Sequence, residues 1–299
     1  AEDALARARS LQRPDLLARA LLGQRLAHHG PEHGEVRLAD AGEALAISPG
    51  RLSPDIVITA LMSRHEDALL IGDRALARSS LHEAQALAAA SQHPYWRWLV
   101  STWTVLDAII DGDLDHAEVA AFDALGFQAE HPEAIACLGV NLVDIRLFQG
   151  RSNEVVDLLA EAANANPHIP TYRAVLALCL AESAESERAT EEYLYFAACN
   201  FVDVPDDTNR LLCLAVLAEV AATVGDVEGG SRLRELLTPH ATRQVVLNCF
   251  GGGGSYWGPV ATQLGRLALL CGDTGGAAAH FDAARDAAQA FGAPLALAR

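Results

Sequence analysis

The sequence predicts an all-α fold, a solenoid of about seven helical hairpins that stack into a superhelix. Three observations support this prediction. Prolines recur at mostly regular intervals of about 35 to 40 residues, glycine turns fall between them, and apolar residues in the intervening segments are spaced three and four apart. One such hairpin cannot bury its own apolar face, so neighbouring hairpins must stack.

The prolines mark the start of the first helix in each predicted hairpin. Proline is tolerated in a first helical turn because its missing N–H would have no partner there. Eight of the twelve prolines occupy such positions, namely Pro14, Pro54, Pro94, Pro132, Pro170, Pro205, Pro259 and Pro294.

Between the prolines, four Gly-Asp pairs predict the turn that joins the two helices of a hairpin. Glycine ends one helix in a left-handed conformation, and the aspartate then caps the next helix. The pairs begin at Gly72, Gly112, Gly225 and Gly272.

Strand signals are sparse in this chain. The segment from Arg243 to Leu247 is the one short candidate. The run from Gly251 to Ser255 predicts a flexible loop, with a functional lid as the alternative. Its Gly-Gly-Gly-Gly-Ser sequence also matches common engineered linkers, so both a native loop and a replaced loop remain open.

Composition narrows the classes of partner. The net charge is −17, and a surface this acidic repels phosphate backbones and anionic lipids, so we expect no direct nucleic-acid or membrane binding. Every basic residue is arginine, which excludes sites that need a lysine.

The six cysteines form no C-x-x-C pair and predict reduced thiols, and no segment has the pattern of a signal peptide. We therefore expect a cytoplasmic protein.

No pattern in the sequence predicts catalysis, a metal site or a cofactor. The acidic run Asp111–Asp115 begins like a calcium loop but lacks its later glycine and glutamate. The histidines His28, His29 and His33 are separated by Gly30-Pro31, which predicts a surface turn. We therefore expect the chain not to be an enzyme.

The best-formed units resemble the tetratricopeptide repeat (TPR). In the last unit, Leu264-Gly265, Gly272-Asp273, Ala277 and Phe281 fall at the spacing of that motif. The resemblance implies a TPR-like superhelix in which the first helix of each hairpin lines a concave groove.

The C-terminal third also resembles the TPR-like helical region of large LuxR/MalT-type ATP-binding transcriptional regulators of actinobacteria. The resemblance lies in Leu236–Arg243, Tyr256–Val260, Leu264–Ala268 and Phe291–Pro294. It implies a region that senses an inducer or a partner protein, beside an ATPase domain and a DNA-binding domain outside this chain.

Polar residues on the first helices predict a binding groove, since specific sites combine apolar area with a few polar groups. Asn141 and Arg173 lie one repeat apart and are candidates to clamp a carboxylate, and Tyr256 and Trp257 are candidates to close one end. The predicted groove comprises Trp103, Asn141, Asp144, Arg173, Gln263, Arg266, Tyr256 and Trp257, with Ser63, Glu66 and Glu219 also facing inward.

The sequence thus favours a single TPR-like domain over 1–299, excised from a larger multidomain protein. The preferred hypothesis is a non-catalytic sensor module of a transcriptional regulator, which binds a small-molecule inducer or a protein in its groove. The alternative is a TPR scaffold or adaptor that binds proteins or peptides without a small ligand. Unsealed solenoid ends also make a homodimer an expectation.

Overall fold

The computed structural model describes residues 2–25, 27–47, 50–248 and 254–298. The chain forms a TPR-like superhelix, as the sequence predicts. Its described helices are α1 (Glu2–Ser10), α2 (Pro14–Gln24), α3 (Gly34–Ala46), α4 (Pro54–Ile71), α5 (Arg74–Ser91), α6 (Pro94–Asp111), α7 (Leu114–Leu125), α8 (Pro132–Phe148), α9 (Val156–Ala165), α10 (Pro170–Glu182), α11 (Ser186–Ala197), α12 (Arg210–Val224), α13 (Val227–Leu237), α14 (Val260–Leu270), α15 (Thr274–Phe291) and α16 (Pro294–Ala298).

Within the described residues six consecutive pairs of helices pack as hairpins, namely α2/α3, α4/α5, α6/α7, α10/α11, α12/α13 and α14/α15. Between α8 and α9 the packing is looser, and α9 packs on α10. The first helices α4, α6, α8, α10, α12 and α14 face the inside of the superhelix, and α12 is buried along almost its whole length. No described helix combines the length and the apolar composition needed to cross a membrane.

The four Gly-Asp turns adopt the predicted geometry. The glycines have left-handed φ angles, 89° at Gly72 and 77° at Gly225, and end their helices. The aspartates then accept a hydrogen bond from a backbone N–H three residues on, at 3.0 Å for Asp73 and 2.8 Å for Asp273. These local signals were sufficient to predict the turns.

Six of the eight prolines begin a helix, and two do not. Pro205 lies in an irregular segment, and α12 begins later, at Arg210. Pro259 is the last residue of a strand and stands immediately before α14. Proline is compatible with the extended backbone of this N-cap position, just as it is compatible with the first turn of a helix.

A two-stranded antiparallel sheet interrupts the helical pattern. Strand β1 (Gln244–Asn248) confirms the predicted strand, whereas β2 (Gly254–Pro259) was not predicted. Val246 pairs with Tyr256 and Leu247 with Ser255, with an irregularity in the register between Gln244 and Val246. Gly254 and Ser255 of the predicted loop therefore belong to β2, while Cys249 and Gly251–Gly253 lie outside the described residues.

The β-hairpin lies within the superhelix. β1 contacts α4 and α12, and β2 contacts α6, α8, α14, α15 and α16. Gly254 permits this approach, because a Cβ there would lie 2.6 Å from a methyl carbon of Leu106 on α6. Every residue of β2 is buried. The hairpin thus occupies the groove that a TPR-like superhelix would leave open.

The hairpin also brings distant parts of the chain together. Arg243, just before β1, forms an ion pair with Glu35 on α3, with Nη2 and Oε2 2.7 Å apart. The short 3-10 helix Pro31–His33 contacts a second one at Thr238–His240. At the other end, α16 packs on α6 and β2. The superhelix is closed by contacts between its early and late hairpins.

Candidate functional site

Most of the residues predicted to line the groove are buried. Trp103 is fully buried and stacks on His65, with ring centroids 4.8 Å apart and planes 11° from parallel. Asn141 and Gln263 are each 1% exposed. These side chains are therefore part of the interior and do not line an open groove.

Tyr256 and Trp257 extend from the hairpin into the core and do not close over an open groove. The Tyr256 hydroxyl donates to Gln244 Oε1 at 3.0 Å, and its ring stacks on Phe291 of α15. Trp257 lies near Phe148 and donates from Nε1 to Glu219 Oε2 at 3.2 Å.

Arg266 belongs to the same interior network. Its Nη1 lies 2.5 Å from Oε1 of Glu219, the carboxylate that also accepts from Trp257. Arg266 on α14 and Glu219 on α12 therefore fix the position of the β2 indole through one buried carboxylate. A buried ion pair is tolerated when further hydrogen bonds satisfy the polar atoms of both partners, as the Trp257 N–H does here for Glu219.

Arg173 does not face the groove, which corrects its predicted role. Its Nε lies 3.0 Å from Glu192 Oε2, and its guanidinium stands over the Tyr195 ring at 4.2 Å. Both partners belong to α11, the outer helix of the same hairpin. The predicted carboxylate clamp with Asn141 is therefore wrong, because Arg173 points to the outer layer.

Ser63 and Glu66 lie on α4 near a buried cluster of charges at the early end of the superhelix. Arg25 bonds Asp67 at 3.0 Å and also pairs with Glu66. Arg37 bonds Asp67 at 2.8 Å. Because desolvation disfavours its charge, the pKa of Arg25 is lowered. Each charge has an opposite partner, so we interpret this cluster as structural.

A cavity of about 350 Å³ remains beside the hairpin, between α8, α9, α10, α12 and the two strands. Its size falls in the range of small-molecule sites, on the order of 300 to 1,000 Å³. Two predicted residues, Asp144 and Trp257, line it together. The apolar lining residues are Ile135, Ala136, Gly139, Val140, Val143, Leu158, Leu159, Ala162, Ile169, Tyr172, Val175, Leu212, Val216, Leu247 and Trp257.

The cavity has an accessible mouth. Ile135 on α8 and Leu158 on α9 line it and remain 56% and 44% exposed. Gly139 lies on α8 one helical turn after Ile135. A Cβ added at Gly139 would lie 4.0 Å from its nearest neighbour, a methyl carbon of Leu158 on α9. The glycine therefore leaves space that no neighbouring group fills.

A few polar groups are distributed over the apolar wall. They are Asp144, Asn166, Thr171, Asn209 and Ser255. Asp144 is 4% exposed, Thr171 5% and Ser255 2%. Asn209 precedes α12, and its side-chain N–H₂ donates to Asp207 at 3.3 Å. Apolar area with a small number of buried polar groups is typical of a ligand site.

Most of this site is not evident from the sequence. The polar residues Thr171, Asn166 and Asn209 sit at helix ends, where a capping role is the simpler interpretation. Gly139 is the usable signal, since a glycine inside an apolar helix costs about 1 kcal/mol relative to alanine and therefore needs a reason.

The described residues show no grouping of three or more His, Cys, Asp or Glu side chains able to hold a metal ion. The five described cysteines are free thiols. Burial raises the pKa of Cys213 to about 12, which keeps its thiol protonated and unreactive.

No protein-family model matches this sequence, and no curated protein matches it. Several solved structures align with it loosely, among them the following two. Yeast Tom70 aligns with a TM-score of 0.44 and 14% identity, over 93% of this chain and 56% of its own. A chain in the structure of Naa15/Naa10 bound to HypK-THB aligns with a TM-score of 0.31 and 16% identity, over 90% of this chain and 37% of its own. The chain thus spans little more than half of the Tom70 chain and less than half of the chain in the Naa15/Naa10 structure. Neither likeness bears on function.

Proposed function

We propose that this chain is a non-catalytic TPR-like binding module that takes its ligand in the cavity beside the β-hairpin. The observation that carries the proposal is the position of the hairpin. It fills the concave groove where an extended peptide would lie, and a lateral cavity lined by Asp144 and Trp257, with an exposed mouth, lies beside it. Binding there needs no rearrangement of the helices.

The cavity has the two properties that a binding site requires. Its apolar wall supplies affinity through the removal of apolar surface from water. Its buried polar groups supply orientation, because a ligand that leaves them without hydrogen bonds is penalised. Helices α8, α9, α10 and α12 and the β-hairpin meet there, so an occupied cavity would stabilise their relative positions.

Native mass spectrometry of the chain purified from its own host tests this proposal. We expect a small molecule to accompany the wild-type chain and to be lost from Gly139→Phe, whose ring would fill the cavity. The control is Gly42→Phe on α3, a helical glycine outside the cavity lining, where an added Cβ would meet no atom within 4 Å. Equal occupancy of wild type and Gly139→Phe would contradict a site in the cavity.

A second candidate function, a protein-binding scaffold, is favoured by the outer helices. Val119 and Phe122 on α7 are 59% and 51% exposed, and Leu194 and Tyr195 on α11 are 50% and 45% exposed. Exposed apolar side chains that recur on outer helices are the kind of surface that contacts proteins.

The same mass spectra distinguish the scaffold from the ligand-binding module. A stoichiometric protein companion that is lost from the double variant Val119→Ser, Phe122→Ser, and kept by Gly139→Phe, would support the scaffold. A second copy of the chain as that companion would make the outer face a homodimer interface. Companion-free spectra of the wild type would contradict the scaffold.

The finer proposal places the module in a transcriptional regulator, next to ATPase and DNA-binding domains. Its support is the sequence resemblance in Leu236–Arg243, Tyr256–Val260, Leu264–Ala268 and Phe291–Pro294. In a full-length protein of this kind, we expect ligand binding to change the rate of ATP hydrolysis, and Gly139→Phe to abolish that response. An unchanged rate in the presence of a bound ligand would contradict it.

A further inference from the structure

The outer side of helix α11 exposes large apolar side chains. Ala189, Tyr193 and Phe196 are buried on the side of α11 that packs on α10 and α12. On the opposite side, Leu194 and Tyr195 are 50% and 45% exposed. Apolar surface therefore remains in contact with water on a helix that is well packed along its other side.

Two glutamates lie on the same outer side of α11, one and two helical turns before the apolar pair. Glu187 and Glu191 are exposed and four residues apart, so their side chains are neighbours. Among the described residues, neither carboxylate has an ion pair or a hydrogen bond. Like charges in this arrangement destabilise a helix, so α11 retains a repulsion that its own surroundings do not relieve.

The arginines nearest to these glutamates pair with other carboxylates. Arg188 pairs with Glu185, just before α11, at 2.5 Å. Arg173 of α10 lies over the Tyr195 ring at 4.2 Å, and Glu192 compensates its charge at 3.0 Å. The negative charge of the two glutamates is therefore available to a cation from outside the chain.

The turn that follows α11 adds one apolar and one acidic side chain. Phe201 is buried and packs near Tyr193, with ring centroids 6.0 Å apart, which fixes the turn. The next residue, Val202, is 73% exposed. The Cys199 thiol donates to Asp203 Oδ2 at 3.3 Å and holds this exposed aspartate beside the end of α11. The surface is called the α11 face and consists of Glu187, Glu191, Leu194, Tyr195, Val202 and Asp203.

We propose that the α11 face is a docking surface for a basic amphipathic helix of another protein. Three exposed carboxylates complement lysines or arginines, and the net charge of −17 attracts such a partner at long range. Acidic and apolar side chains follow one another at one-turn spacing along α11. A helix with apolar residues every three or four positions and cations between them presents matching groups.

The inference deepens the second candidate function, the scaffold, by giving it a class of partner. It does not depend on the ligand cavity, because no described residue of α11 lines that cavity.

Two dye-labelled peptides test the inference by fluorescence anisotropy with the full chain. The first has about 14 residues, roughly four helical turns, with leucine at helical spacing and lysine elsewhere. The second has the same composition in an order that removes the apolar face. We expect the first to bind at least about tenfold more tightly, and to bind more weakly as salt rises from about 0.05 to about 0.5 M.

Charge reversal locates the binding. Glu187→Lys with Glu191→Lys should weaken binding of the first peptide by at least about tenfold. The matched control is Asp282→Lys with Asp286→Lys on α15, which changes the net charge equally. These aspartates are also four residues apart, but Arg285 pairs with both, at 2.8 and 3.6 Å. We expect the control to change the affinity by less than about twofold, since distant surface charges are screened.

A second variant tests the apolar part of the α11 face. Leu194→Ser with Tyr195→Ser keeps every charge and should weaken binding by about tenfold, because it removes the apolar contact area. Circular dichroism establishes that each variant remains folded.

Several outcomes would overturn the inference. Equal weakening by the two charge reversals would show that the peptide responds to net charge alone. Equal affinities for the two peptides, unchanged binding to the serine variant, or no binding of the first peptide would exclude an amphipathic partner. Loss of the peptide from Gly139→Phe would place it in the cavity instead. The small molecule expected in the cavity is detected separately by native mass spectrometry, so the two proposals can fail independently.

Discussion

At the scale of single residues, His65 shows how the buried inner face constrains chemistry. Its Nδ1–H donates to the carbonyl of Ala77 at 2.8 Å, and its ring stacks on Trp103. Burial lowers the pKa of His65 to about 4. The imidazole is therefore neutral in the folded chain at neutral pH, and in the unfolded chain it titrates at about 6.5.

His65 should make the chain sensitive to mild acid. Between pH 6.5 and about 4, the unfolded chain binds a proton that the folded chain does not, so stability falls as the pH falls through this window. From pH 7 to 5 we expect this group to remove about 2 kcal/mol from the free energy of unfolding. Urea unfolding at both pH values measures it.

The matched variants are His65→Gln, which should lack this component, and His82→Gln, which removes an exposed imidazole from the neighbouring helix α5. A pH dependence of His65→Gln equal to that of the wild type would show that His65 is not the source.

A second prediction at this scale concerns two aspartate caps. Asp113 caps α7 alone, whereas Asp226 caps α13 and also accepts a hydrogen bond from the Tyr193 hydroxyl at 2.8 Å. We expect Asp113→Ala to lower the free energy of unfolding by about 1 kcal/mol, the usual loss when an N-cap side chain is removed. Asp226→Ala should cost about 2 to 3 kcal/mol, because a buried hydroxyl also loses its partner.

Thermal and urea unfolding of both variants measure this difference. Tyr193→Phe should recover part of the extra loss in the Asp226→Ala background, since it removes the hydroxyl that was left without its acceptor. Equal costs for the two aspartates would show that the Tyr193 bond adds nothing to the cap.

At the scale of elements, the first turn of α15 places two glycines in opposite situations. A Cβ at Gly275 would meet no atom within 4 Å, whereas a Cβ at Gly276 would collide with the carboxylate of Asp273, which caps this helix. Gly275→Ala should therefore stabilise the chain by about 0.5 kcal/mol through reduced freedom of the unfolded state. Gly276→Ala should destabilise it by about 1 kcal/mol through loss of the cap.

Differential scanning calorimetry of the two variants shows directly whether each substitution raises or lowers the melting temperature. The substitutions are chemically identical and adjacent, so each is the control of the other. A rise in melting temperature for Gly276→Ala would contradict the assigned role of Asp273.

The helices, turns and strands also show which parts of the fold can be predicted from the sequence. The Gly-Asp turns were predictable because their geometry depends on two adjacent residues. Strand β2 was not, because Gly254–Pro259 contains two glycines and a proline and few residues with high strand propensity. Its extended conformation depends on pairing with β1 and burial against helices far away in sequence.

The site was predictable only in part for the same reason. Asp144 and Trp257 were identified as inward-facing residues, but their shared cavity exists only because β2 places the indole beside α8. Arg173 was assigned to the groove from its repeat position. Its true direction depends on Glu192 and Tyr195 of α11, which no spacing rule identifies.

At the scale of the whole molecule, the β-hairpin changes how the repeats depend on one another. In an ordinary solenoid each repeat contacts only its neighbours, and unfolding can proceed from one end. Here one hairpin contacts α4, α6, α8 and α12 as well as the last three helices. The chain should therefore unfold as one unit.

Tyr256→Ala tests this coupling. Tyr256 is 2% exposed and joins β2 to Phe291, so its truncation should cost about 3 to 5 kcal/mol. In urea, circular dichroism and tryptophan fluorescence should give one coincident transition for the wild type and separated transitions for the variant. Phe122→Ala, which truncates an exposed ring, is the control. Separated transitions in the wild type would contradict a single cooperative unit.

The distance in sequence between α4 and the β-hairpin has a consequence for biosynthesis. Helix α4 ends at Ile71, but the strand that covers it begins only at Gln244. At a ribosomal rate of about 5 to 20 residues per second, the inner faces of the early hairpins emerge on the order of ten to thirty seconds before their cover is translated. During that interval Leu69 and Leu106, which pack with Val246 and Tyr256 in the finished chain, are open to solvent and to chaperones. The nascent chain therefore passes through a stage with the open groove that the finished protein lacks.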